Sequence, residues 1–184
     1  MKKWIASGAA LVLVALGLAG CGSDRSADLT EARSFEGYEL YFAGQQADGF
    51  PLTDVRRWEA QQDGGASDDW SFFYGDCRPA GGEGGCPLPV EIQNYPACRR
   101  SATLYVRPLN LFDFRGAKAT WRGGATLDVY TGNTTVAIFS RGRAAARRVG
   151  RQLRTVNQDN ASGQLPPPVR GSLHARPQCP AGGG

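Results

Sequence analysis

Histidine, methionine and lysine are scarce in this 184-residue chain. His174 is the one histidine, Met1 the one methionine, and the lysines are Lys2, Lys3 and Lys118. A single histidine, placed in a proline-rich tail, removes the commonest general base. No C-x-x-C pair occurs either, so the chain lacks the ligand spacing of a zinc site. G-x-S-x-G, S-x-x-K, H-E-x-x-H and phosphate-loop patterns are all missing, which leaves no recognisable nucleophile or phosphate cradle. Only the first twenty residues hold a run apolar enough to enter a bilayer, and that excludes a multi-pass membrane protein. What is present is ordinary for a globular chain, with 41% hydrophobic and 21% charged residues, so wholesale disorder is excluded as well.

The N-terminus reads as an address. Lys2 and Lys3 precede an apolar run over 9–19, too short to span a membrane and arranged like a secretory signal. It ends in L-A-G-C at 18–21, which resembles the bacterial lipobox. That resemblance implies that residues 1–20 are a signal peptide and that the Cys21 thiol is joined to diacylglycerol. Two acyl chains anchor a protein stably, at about 0.8 kcal/mol per buried CH₂. The expected location is therefore the extracytoplasmic face of the cell membrane, and export removes nucleic acid as a partner. Residues 21–35 then read as the lipidated cysteine and a polar tether.

Four cysteines remain in the exported part: Cys77, Cys86, Cys98 and Cys179. An even number in an oxidising compartment predicts two disulfides, and four cysteines allow three pairings. The glycine-rich loop 77–86 favours Cys77 with Cys86. The alternative partners, Cys98 and Cys179, would then tie the tail at 159–184 to the body. Neither a metal nor a cofactor is called for.

Between tether and tail, 36–158 is expected to form one globular unit. Strand signals lie at 38–43, 69–74 and 89–95, with Trp70, Phe72 and Tyr74 sharing one face. That face is expected to be core rather than a stacking platform for sugars. Residues 49–58 are ambiguous, because Leu52, Val55 and Trp58 have helical spacing. The strongest local signal is 126–140, where two β-branched and aromatic runs flank Thr-Gly-Asn, a hairpin turn. An amphipathic helix is expected over 142–156, with Ala145, Val149, Leu153 and Val156 on one face and Arg143, Arg147, Arg151 and Arg154 on the other. Gly150 costs such a helix up to about 1 kcal/mol. A hairpin carrying a packed helix predicts an α+β fold built on an antiparallel sheet.

Taken together, Y-G-D-C at 74–77, G-G-C at 84–86, P-A-C at 96–98, the VYTGNTTVAIF hairpin and L-P-P-P before the last cysteine resemble predicted lipoproteins of high-GC Gram-positive, actinobacterial type. The resemblance spans roughly residues 35–179. It rests on cysteines and turns, implies that all four cysteines pair, and brings no activity with it.

Charge is divided unevenly. Residues 22–98 hold 14 acidic and 5 basic side chains, net −9, whereas 99–184 hold 3 acidic and 14 basic, net +11. One expectation is that the halves fold against each other and neutralise. The other is that the arginine face (Arg143, Arg147, Arg151 and Arg154) meets an anionic surface, polymer or acidic protein. Carboxylates cluster at Asp63, Asp68, Asp69 and Asp76, but without EF-hand spacing. The functional expectation is a non-catalytic, membrane-anchored binding protein of the cell envelope. An extracellular hydrolase using Asp or Glu carboxylates is the alternative.

Overall fold

The computed structural model describes residues 26–62, 65–76, 89–97, 110–159 and 163–173. Cys21, Cys77, Cys86, Cys98 and Cys179 all lie outside them, and so do the disulfide and lipidation expectations.

The described chain runs β1 (Ser26–Ala27), α1 (Leu29–Ser34), β2 (Tyr41–Phe42), β3 (Gln46–Ala47), β4 (Phe50–Gln62), β5 (Gly65–Tyr74), β6 (Val90–Pro96), β7 (Phe112–Phe114), β8 (Ala117–Arg122), β9 (Thr126–Thr131), β10 (Thr134–Ser140), α2 (Arg143–Gln152) and β11 (Arg154–Thr155). Eight strands follow one another in the order β1-β4-β5-β6-β10-β9-β8-β7, an antiparallel half-barrel, with β3 added beside β4. A two-stranded ladder joins β11 to β2. The expected antiparallel sheet and hairpin are present, but the fold is mainly sheet with one short packed helix, not an α+β balance.

Alternation explains the sheet. β6 buries Val90, Ile92, Asn94 and Pro96 while Glu91, Gln93 and Tyr95 are half-exposed. Trp70, Phe72 and Tyr74 of β5 are fully buried on the same side of the sheet, as core. The 49–58 ambiguity resolves as strand. Its neighbour decides this, because β4 pairs with β5 from Asp54 opposite Phe73 to Gln62 opposite Gly65. Helical spacing over three apolar residues cannot compete with a ladder of that length. In the β9–β10 hairpin Thr131 pairs with Thr134 around Gly132 and Asn133. Gly132 takes φ +50°, and a positive φ at the first loop position suits a two-residue hairpin and costs glycine nothing.

The helix is shorter than the sequence suggests. It ends at Gln152, because Arg154 and Thr155 leave it to pair with Phe42 and Tyr41. Its buried side is Ala146, Val149 and Gly150, so Ala146 takes the place expected of Ala145. Leu153 and Val156 are also buried, but beyond the helix. Gly150 is required where it stands, since a Cβ there would lie 2.8 Å from the Phe114 ring. Arg115, in the β7–β8 turn, donates to the carbonyls of Gly150 (2.8 Å) and Leu153 (2.9 Å) and so caps the helix C-terminus.

The expected tether is partly folded. Ser26 and Ala27 pair with Arg56 and Val55, and Asp28 caps α1 by accepting from the Glu31 N–H. Ala32 is fully buried, with Leu29 and Phe35 packed against the core. Part of the expected tail also lies on the body. Val169 donates to Gly132 O (2.9 Å), and Leu165 is buried.

Candidate functional site

Two surfaces bring polar and aromatic side chains together. The first is the outer edge of α2. Phe112 and Trp121 stack with centroids 6.3 Å apart, because Phe112 faces Ala119 across β7–β8 and Trp121 lies two residues further along β8. Arg143 lies 5.1 Å over Trp121, and Arg147 lies 5.6 Å over Phe112 and 5.7 Å over Trp121. Both arginines are exposed, as are Arg151 and Leu111. None of the three arginines has a carboxylate partner among the described residues.

Arg154, expected on this face, is not part of it. Leaving the helix for β11 turns its guanidinium over Phe42, at 5.3 Å. Arg148, which the sequence reading did not include, forms a two-pronged pair with Asp48 at 2.6 and 3.0 Å. The Arg148 hydrogen bond holds the Asp48 carboxyl below its ordinary range. This pair joins the acidic and basic halves, so some basic charge is neutralised within the fold, while Arg143, Arg147 and Arg151 have no carboxylate partner among the described residues.

The second surface is the sheet face opposite α2. Register sets Arg56, Ser71, Gln93, Ala137, Asp128 and Thr120 side by side across six strands. Asp128 is 1% exposed and accepts two hydrogen bonds from Arg122, at 3.0 and 3.1 Å. Burial alone would lower the Arg122 pKa, but the Asp128 bond and charge outweigh it and raise it. Gln93 donates to Glu91 (2.6 Å) and accepts from the Tyr95 hydroxyl. The sequence reading missed this face. Its available signal was Asp128 and Tyr130 alternating with Leu127 and Val129 in β9.

Of the clustered carboxylates, Asp63 and the side chain of Asp68 lie outside the described residues. Asp76 is exposed, and Asp69 is half-buried opposite Trp58. Among the described residues no three His, Cys, Asp or Glu side chains converge on a common cation position. No described helix is long and apolar enough to cross a membrane. Comparison with protein-family models, curated proteins and solved structures finds no match.

Three phenols have raised pKa values. Burial raises Tyr74 and Tyr41, and burial with the charges of Asp69, Glu91 and Asp128 raises Tyr95. The unfolded value is near 10. A folded value above it means that the stabilisation is full below about pH 10 and is lost as pH rises beyond it. In a spectrophotometric titration these tyrosines should stay protonated until the near-ultraviolet dichroism of the fold collapses. Smooth ionisation of all six tyrosines with the fold intact would contradict this.

Proposed function

We propose that the chain is a lipid-anchored protein of the extracytoplasmic membrane face, held by Cys21, that binds and does not transform its partner. The α2 edge meets the anionic headgroups of the anchoring membrane. The observation that carries this reading is Arg143 and Arg147 seated over the Phe112–Trp121 pair, exposed and without carboxylate partners among the described residues. Basic side chains near an anionic bilayer contribute about 1 kcal/mol each. Tryptophan and other amphipathic rings favour the headgroup level, and the exposed Leu111 adjoins Phe112 in sequence. The lipobox-like cysteine adds local concentration, because an anchored chain stays within reach of the surface.

The test separates anchor from edge. Labelled palmitate should mark the wild-type chain in cells and leave Cys21→Ser unmarked. The unlipidated Cys21→Ser chain should sediment with phosphatidylglycerol vesicles and not with phosphatidylcholine vesicles. Adding R143E and R147E should weaken that sedimentation by at least about tenfold, and salt should weaken it too. Equal sedimentation with both vesicle types would refute the edge reading.

A further inference from the structure

We propose that the protein lies on the membrane by two separated contacts, the Cys21 lipid at one rim of the half-barrel and the α2 arginine edge at the other, so that the sheet face opposite α2 looks away from the lipid. The inference rests on the membrane reading above and adds the direction in which the molecule lies. Strand order carries it. β1 is the first strand across the large sheet and β7 the last. At about 4.8 Å per strand, about 34 Å of sheet lies between them. Ser26 of β1 follows Cys21 by five residues, a length of chain that spans at most about 18 Å. The anchor therefore holds the β1 rim. Arg143 and Arg147 sit over Phe112 of β7 and Trp121 of β8, at the far rim.

Both rims face the same way. A half-barrel is a trough, and its two edge strands border one open side. The register runs Phe72, Ile92, Ile138, Leu127 and Trp121 across that side. α2 lies on it, with Gly150 against Phe114 and Leu127. α1 lies on it too: Ala32 is fully buried, and Phe35, just after the helix, meets Trp70 at 5.4 Å. Charge decides which end of the opening touches lipid. α2 presents the exposed Arg143, Arg147 and Arg151, whereas the exposed charges from Asp28 to Glu36 are Asp28, Arg33 and Glu36, net −1. An anionic surface attracts the first group and not the second. The reach of the spacer exceeds the Debye length of about 8 Å, so the α1 end stands clear of the headgroups while α2 touches them. Trp58, 41% exposed, lies on the outer face of the trough beside Arg56 and points away from that plane.

The test uses the lipidated wild-type chain in nanodiscs of phosphatidylglycerol or phosphatidylcholine, with hydroxyl-radical oxidation read residue by residue. The acyl chains hold the protein in both. In phosphatidylglycerol, Trp121 and Leu111 should oxidise several-fold more slowly than in phosphatidylcholine, while Trp58 keeps one rate in both. R143E with R147E should stay in the disc and lose the Trp121 protection. High salt should do the same to the wild type, because it screens the edge and leaves the anchor in place. Palmitate labelling and vesicle sedimentation separate the ways to fail. A chain that takes no palmitate overturns the anchor reading and this inference with it. A labelled chain whose Cys21→Ser form sediments with phosphatidylglycerol, but whose Trp58 is protected as strongly as Trp121, overturns the orientation alone. Rates at Trp121 and Leu111 that ignore lipid charge overturn it as well.

Discussion

Phe72→Ala is expected to lower the unfolding free energy by about 3–5 kcal/mol, the range for removing a buried phenylalanine ring. Phe72 is fully buried and sits mid-sheet, opposite Val55 on one side and Ile92 on the other. Its ring also meets Phe42 of β2, with centroids 5.8 Å apart. The side chain therefore joins the large sheet to the N-terminal segment lying over it. Truncation leaves a cavity between two layers whose backbones are held by ladders and cannot close in. Against a total stability of about 5–15 kcal/mol, such a loss is a large fraction. Urea unfolding should show a lower midpoint with little change in slope. A loss under about 1 kcal/mol would mean that Phe72 is not in a close-packed core.

Asn94→Leu should be nearly as damaging, for a different reason. Asn94 is fully buried in β6, among apolar neighbours. Its side chain accepts from the Tyr41 N–H at 2.8 Å and donates to the Tyr41 carbonyl at 2.9 Å. It thereby stands in for a neighbouring strand along one side of β2, while β11 occupies the other. Leucine fills a similar volume but leaves two buried backbone groups without partners. Each such group costs about 1–3 kcal/mol, so the expected loss is about 2–6 kcal/mol. Hydrogen exchange at the Tyr41 amide should accelerate more than exchange in β9 and β10. Uniform acceleration across the sheet would show that Asn94 acts through global packing and not through this clamp.

The two substitutions mark the boundary between what the residues announce and what they conceal. Phe72 belongs to a strand whose alternation is visible in the sequence, and its burial follows from that alternation. Asn94 belongs to an equally visible strand, but nothing local indicates that its amide replaces a ladder to residues 53 positions away. The basic edge shows the same division. Arg143 and Arg147 are legible as one helix face, yet the aromatic pair beneath them comes from β7 and β8. Arg154 obeys the same periodicity but leaves the helix, because pairing with β2 captures its backbone.

Local pattern by itself determined the hairpin at 126–140, the buried β5 stripe and the existence of a basic helix. These depend on residues within one turn or one strand of each other, where side-chain period and backbone preference act directly. Tertiary structure alone decided that residues 50–62 are strand, that the helix stops at Gln152, and that Arg122, Asp128, Tyr95 and Thr135 share one face. Those outcomes depend on strand order and register. Both are fixed when distant segments bury their apolar faces together, and no short window of sequence contains that information.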